Sequence, residues 1–279
     1  MLPGYLQIDA DELGRDTPVT VRVLGDMASI ALNFAENLRD EIKSANEEQR
    51  PATFIIPVGP VDQFPILARL LNEEQISCRE VVFINMDEYL TDDGNLVPMD
   101  HPLSFRGYMN RALYALLDSE LAPPTENRVF PEPDKPEAVQ QLISARGGVD
   151  VCYGGIGING HMAFNEPPEP GEVISLDDFA SLPTRILNLS RETKTINSVT
   201  IGGEISVVPK QAITVGIKEI LESNKLRFYC NRPWQSAVVR RVLHGPISPL
   251  CPASLMRQHS DAMLTIAEYV AQKPDIRLR

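Results

Sequence analysis

Apolar residues along this chain recur with two spacings, and the alternation between them outlines a fold. Ile30, Phe34, Leu38 and Ile42 fall on one helical face, Glu and Lys lie opposite, and Asp26 stands where a cap belongs. An amphipathic helix is predicted there. The run Thr53-Phe-Ile-Ile-Pro57 reads as a buried strand. Residues 63–75 then read as a helix, 80–85 as a strand, and 103–117 as a helix with Arg106 and Arg111 on its polar side. Residues 150–153 form a strand that runs into a glycine-rich turn. Further strands are predicted at 185–189, 212–215, 226–230 and 262–266, with helices at 218–223 and 234–243. Strands alternating with helices predict an α/β domain with an open, mainly parallel sheet and helices on both faces. In such sheets ligands sit beyond the carboxyl ends of the strands. The segments that follow each strand therefore matter most.

Composition narrows the picture. The chain has 279 residues, 43% hydrophobic and 23% charged, enough for a sizeable core in one large domain. A net charge of −12 argues against nucleic acid or an anionic membrane as partner, while leaving room for a small anion held by local cations. Apolar runs such as 52–58 are too short to span a bilayer, and the opening residues lack a signal-peptide pattern. Cys78, Cys152, Cys230 and Cys251 are widely separated, which suggests neither a disulfide scaffold nor a zinc ribbon. A cytoplasmic protein is expected. The 23 prolines concentrate at 123–136 and 167–170, marking two irregular connections.

Three segments carry candidate chemistry. Asn85-Met-Asp87-Glu88-Tyr89 follows the 80–85 strand and places two adjacent carboxylates at its end. One could serve as a general base, and a helix cap or turn acid is the competing reading. The second segment is Gly154-Gly-Ile-Gly157-Ile-Asn159-Gly160-His161-Met-Ala-Phe-Asn-Glu166-Pro167. Its G-x-G-x-x-G, with Asp177 and Asp178 about twenty residues on, matches a dinucleotide fingerprint. Pro167 comes too soon for the required helix, so a tight loop presenting His161 and Glu166 is the better reading. A His–carboxylate pair suits proton transfer near neutral pH. The third segment groups Arg191, Lys194, Lys210 and Arg232 as possible anion holders, against a reading as solvated surface charge.

Asn-Met-Asp-Glu-Tyr followed some seventy residues later by Gly-x-Gly-x-x-Gly-His-x-Ala-Phe-Asn-Glu-Pro, with Pro209-Lys-Gln-Ala-Ile-Thr-Val-Gly further on, is specific. It resembles the glucosamine-6-phosphate deaminase (isomerase) family, over residues 28–270. The related 6-phosphogluconolactonases share the glycine-histidine segment without Phe-Asn-Glu-Pro. The resemblance implies a Rossmann-like α/β fold and an aldose–ketose isomerase and deaminase, classed also as a hydrolase, in carbohydrate metabolism. Asp87 matches the base that moves a proton between C1 and C2 of an opened amino sugar, through an enolamine, with loss of ammonia. His161, oriented by Glu166, matches the group that assists ring opening. Lys194 falls where the family carries a phosphate-binding arginine, on a lid-like segment near 172–205. No metal or organic cofactor is expected, since proton transfers suffice.

Departures from the pattern are specific too. The family's Gly-x-Asp-Gly-His reads Gly157-Ile-Asn159-Gly160-His161 here, so an acid beside the histidine becomes an amide. The phosphate loop, Pro-Thr-Gly-Gly-Thr-Pro in the family, aligns with Pro57-Val-Gly59-Pro60-Val61-Asp62 and has lost two hydroxyls and an N–H. Gln235 occupies the place of a second phosphate cation, with Arg232 as nearest substitute. The expected catalytic set is Asp87, Asn159, His161 and Glu166. The expected substrate contacts are Gly59, Val61, Glu88, Gly157, Gly160, Lys194, Arg232 and Gln235. Two readings stay open: an isomerase/deaminase acting on an amino sugar or its phosphate, and a catalytically weak sugar-binding or regulatory relative. Partners beyond that small molecule are limited to other copies of the chain, since a homo-oligomer is possible. The acidic, proline-rich stretch 167–172 makes regulation by an anionic sugar at that place unexpected.

Overall fold

A computed structural model describes residues 2–59 and 62–277. Seven parallel strands form the main sheet in the order β1-β10-β9-β6-β2-β3-β5. They are β1 (Thr20–Leu24), β2 (Ala52–Ile56), β3 (Val81–Asn85), β5 (Arg128–Val129), β6 (Val151–Gly155), β9 (Lys225–Cys230) and β10 (Ala262–Ala267). Every residue of β2 and β3 is buried. Their unbroken apolar runs fit a parallel sheet covered on both faces, which leaves no polar side to alternate with. The edge strands β1 and β5 are partly exposed.

The strands 185–189 and 212–215 depart from the expected single sheet. β7 (Arg185–Asn188) and β8 (Gln211–Thr214) join β4 (Asp87–Leu90) in a separate antiparallel sheet, ordered β4-β8-β7. β4 starts one residue after β3 ends, and Met86 makes the crossing. Its N–H donates to Ile56 O at 2.9 Å, and its carbonyl accepts from Val215 N at 2.7 Å, so it is bonded to both sheets' surroundings. A small second core of Tyr89, Val97, Phe164, Leu189, Val208 and Ala212 lies against this sheet.

Helix α1 (Met27–Glu47) buries Ile30, Phe34, Leu38 and Ile42, and Asp26 caps it by accepting from Ser29 N. α2 (Gln63–Glu73) packs beside it, with Phe64 edge-on to Phe34. The predicted helix 103–117 is shorter and irregular: α3 (Phe105–Met109) continues into a π-helical turn over Asn110–Tyr114. The remaining helices are α4 (Ala138–Arg146), α5 (Leu176–Ala180), α6 (Arg191–Ser198), α7 (Ile217–Leu221), α8 (Gln235–His244) and α9 (Glu268–Ala271). No helix among the described residues is long and apolar enough to cross a membrane.

Sheet order fixes where a ligand can go. From β2 the chain passes through α2 to β3 on one side, whereas β6 pairs with β2 on the other. The loops leaving β2 and β6 therefore diverge, and a crevice opens between them at the strands' carboxyl ends.

Candidate active site

A cleft of about 370 Å³ occupies that crevice. Its walls are residues 57–59 after β2, Met86, Asp87 and Tyr89 at β4, 102–105 and Tyr108 at α3, and 155–157 after β6. His161, Ala163 and Phe164 continue the β6 side, Asn197 and Thr200 come from α6 and the turn after it, and Asn231, Arg232 and Gln235 close the far end. Tyr89, Phe105 and Phe164 pack as an aromatic cluster, with the Phe105 and Phe164 rings stacked at 20° and 5.9 Å.

Asp87 enters the cleft from β4, and no group among the described residues hydrogen-bonds its carboxyl. Burial, and then the charge of Glu88, push its pKa well above the usual carboxylate range. A carboxyl in that state has high proton affinity and is free to engage a ligand.

His161 is held from behind by a chain whose proton positions follow from chemistry. Glu166 Oε2 lies 2.6 Å from the Asn159 side-chain nitrogen, and a carboxylate can only accept, so the amide N–H₂ faces Glu166. The amide oxygen must then face His161, where it accepts from the backbone N–H and lies 2.9 Å from Nδ1. Nδ1 accordingly carries a proton, and the neutral ring presents Nε2 with its lone pair. The Nε2 edge lies over Gly157, where any Cβ would come within 2.0 Å of that nitrogen. Gly160, with φ +93, makes the turn and abuts Cys251, whose Sγ a Cβ there would meet at 2.6 Å. Glu166 Oε2 also sits 3.4 Å from Nδ1. Burial alone would raise the Glu166 pKa, yet the bond to His161 and the charge that ring carries when protonated, with bonds from Thr193 and Asn159, hold it at about 2.

Sequence patterns missed two members of this group. Ser190 caps α6 by accepting from Thr193 N, its N–H donates to Glu166 Oε1, and its hydroxyl lies 3.3 Å from the Asn159 amide. Thr193 is fully buried, with Oγ1 3.3 Å from His161 Nδ1. The signal available was Ser190 three residues before Thr193 at the head of an amphipathic stretch, a capping spacing. Ala163 also has a left-handed backbone, φ 52, rare for a residue with a Cβ, and its neighbour Phe164 N donates to Thr214 Oγ1.

Other expected contacts are placed differently. Glu88 is fully buried and does not line the cleft; its oxygens accept from Tyr89 N, Ser104 Oγ, Phe105 N and Arg106 N. Lys194 is half-buried on α6 and is not among the residues that line the cleft. Lys210 pairs with Asp92 on the surface, and Arg191 is exposed. Gly59 and Arg232 line the cleft. Gln235 lines it too, but both ends of its amide are taken by backbone: Nε2 donates to Ile156 O and Oε1 accepts from Arg232 N. Val61 and Pro60 lie outside the described residues. Among the described residues no cluster of three His, Cys, Asp or Glu could hold a metal ion.

No family model matches the chain. The glucosamine-6-phosphate deaminase of Exiguobacterium sibiricum is 32% identical over 223 residues, covering 79% of this chain and 78% of that protein. The chain belongs to the glucosamine-6-phosphate deaminase family. Among solved structures, a monomeric glucosamine-6-phosphate deaminase superposes with a TM-score of 0.78 at 26% identity, over 92% of this chain and 100% of that one. The family's Rossmann-like α/β architecture is thus the one seen here. A 6-phosphogluconolactonase from Thermotoga maritima, at TM-score 0.64 and 17% identity over 90% of this chain and 100% of its own, shares the fold alone. This corrects the expected hydrolase class: the relative that shows the family is named a deaminase, and the hydrolytic neighbour is distant.

Proposed function

We propose that this family member is an enzyme that converts an amino-sugar phosphate of the glucosamine 6-phosphate type to the ketose phosphate with release of ammonia. The observation that carries the reading is that Asp87, whose carboxyl has no partner among the described residues, and His161, held at Nδ1 by Asn159, line one cleft. In this mechanism His161 Nε2 takes the proton of the anomeric O1 hydroxyl and passes a proton to the ring oxygen as the C1–O5 bond breaks and the C1 carbonyl forms, while Asn159 and Glu166 hold the imidazole and stabilise its cation. Asp87 then removes the C2 proton of the opened chain and returns a proton at C1, passing through an enolamine. Water adds at C2 of the resulting imine, and ammonia leaves. Arg232, on the cleft wall, is the cation placed to meet the phosphate, with Gly59 as a backbone contact. Gly157 and Gly160 set the loop that carries His161. The segment 172–205 acts as a lid in this reading, because α6 supplies Asn197 at the cleft and Thr193 behind His161.

The intact chain from Glu166 through Asn159 to His161 favours turnover over a role as a weak sugar-binding relative. Every group in the set comes from one chain, so the reading does not require a homo-oligomer; sedimentation of the purified protein decides its state. Four buried free thiols suit a reducing compartment, and the cytoplasm is the proposed location. Ammonia release and ketose formation from glucosamine 6-phosphate, with glucosamine and N-acetylglucosamine 6-phosphate alongside, test the assignment. Absence of ammonia from every amino sugar tried would end it.

A further inference from the structure

Glu88 is adjacent to the reacting carboxyl in sequence yet stands outside the cleft wall, and its surroundings are unusually complete. Oε1 accepts from Tyr89 N at 2.9 Å and Phe105 N at 3.0 Å. Oε2 accepts from Ser104 Oγ and Arg106 N, each at 2.9 Å, with Arg106 Nε at 3.4 Å. The Ser104 hydroxyl already accepts from Gly107 N, so its own proton points to Glu88. Every partner of both oxygens is thus a donor, the arrangement that suits a carboxylate. The charge sits wholly buried beside Asp87, with one cation, Arg106, on its outer side.

We propose that Glu88 is a positioning residue for the reaction: it ties the 102–106 wall of the cleft to β4, and its fixed negative charge strengthens Asp87 as a base. This rests on the reading of Asp87 as the base. The first task follows from the bonds, since Phe105 and Ser104 line the cleft and are hydrogen-bonded through Glu88 to the strand that carries Asp87. The second follows from Coulomb's law in a poorly solvated place, where a like charge on the neighbouring residue favours the protonated carboxyl. The raised proton affinity of Asp87 names Glu88 as its cause after burial. Other groups line the same cleft as Asp87. They are Tyr89 on its own strand, His161 from the loop after β6, Tyr108 from α3, and Tyr229 and Arg232 from β9 and the residue run after it. β8 offers Thr214, and α6 and the turn after it offer Asn197 and Thr200, none of which titrates near neutrality. Among these, Glu88 is the fixed anion, and Arg106 modulates it.

The test is a carboxyl-carbon NMR titration of Asp87 in the full-length, ligand-free protein, compared with Glu88→Gln and Arg106→Gln. Glu88→Gln is expected to move the Asp87 midpoint down by on the order of one pH unit, and Arg106→Gln to move it up by less. The acid limb of the kcat profile for glucosamine 6-phosphate should move with it in each variant. Unmoved midpoints, or shifts of the same sign in both, overturn the electrostatic role. If Glu88→Gln does not fold, Arg106→Gln decides alone: an upward shift supports the proposal and an unchanged midpoint overturns it. Ser104→Ala is expected to raise KM several-fold with the acid limb in place, and an unchanged KM removes the wall-tying role. The NMR midpoints do not depend on turnover. An absence of ammonia release together with opposed shifts would therefore refute the functional reading and leave the influence of Glu88 standing.

Discussion

At the His161 end of the cleft, polar side chains are bonded to one another; at the Gly59–Arg232 end, the Gln235 amide is bonded to backbone and the Arg232 guanidinium to the Met27 sulfur. Glu166, Asn159, Ser190, Thr193 and His161 form a closed set in which each polar atom orients the next. At the other end Gln235 spans Ile156 O and Arg232 N, and Arg232 is the single cation among the described lining residues. The first arrangement fixes the geometry of reacting atoms before any ligand arrives. The second fixes loops and leaves charge recognition to one half-exposed side chain. In the proposed mechanism the reacting end is thus preorganised more tightly than the end assigned to the phosphate. The two carboxyls of the reacting end also differ. Asp87 has high proton affinity and no described partner, whereas Glu166 is held at about 2 by its partners. Environments that push two acids apart in this way separate a proton carrier from a permanent anion.

The largest effect should come from Asp87→Asn. Loss of a positioned base removes about a hundred- to ten-thousandfold of rate, read as ammonia release and as deuterium exchange at C2. Undiminished exchange would take Asp87 out of the role. The same substitution should stabilise the fold. The Asp87 pKa is raised on folding, so its ionisation withdraws stability as pH climbs from the ordinary carboxylate range toward the raised value. Asp87→Asn should therefore unfold at higher urea concentration than the parent at pH 8, with the difference vanishing in acid.

Gly157→Ala should come next, with a loss of about tenfold or more, because its Cβ would displace the His161 ring from its place over the loop. The drop should appear in kcat with the far end of the cleft undisturbed, so KM is the internal control. Glu166→Gln should follow, and its stability effect has the opposite sign to that of Asp87→Asn. Glu166 falls from an ordinary 4.5 to about 2 on folding, so its contribution is complete above the ordinary value and disappears as pH falls toward 2. The variant should be less stable than the parent at pH 7 and converge with it near pH 2, by urea unfolding. The smallest effect belongs to Arg232→Ala. A single, half-exposed cation should change KM for a phosphorylated sugar by no more than about tenfold, with kcat retained. A hundredfold rise would mean that the two ends are equally built.

Much of this was legible in the chain. The buried runs of β2 and β3 and the four-residue spacing of α1 announced themselves because burial on both faces, or on one face, leaves a periodic trace. β1, exposed along much of its length, and β5, two residues long, left none. The second sheet was also hidden. Strand runs at β7 and β8 were visible, but nothing local in a run states which partner it pairs with, and no strand was predicted at β4. At the site, Asp87, His161 and Glu166 stand in a motif whose spacing carries them. Glu88 was expected at the substrate because a sequence cannot show that residues sixteen to eighteen positions on would fold back to claim both of its oxygens. Thr193 was silent for the same reason: thirty-two residues separate it from the histidine it touches.

The one-residue crossing at Met86 has a bearing on how a sugar gets in and out. The backbone of Met86 is bonded to the end of β2 and to the residue after β8, so Asp87 begins a strand whose first peptide is clamped on both sides. The backbone that carries the proposed base is thereby held in place. So is the His161 loop, whose glycines are wedged against their neighbours. In the proposed reading of 172–205 as a lid, traffic through the cleft falls to the wall that α6 and its following turn provide. Moving that wall withdraws Thr193 from behind the imidazole, so a gaping cleft and a fully tuned histidine exclude each other.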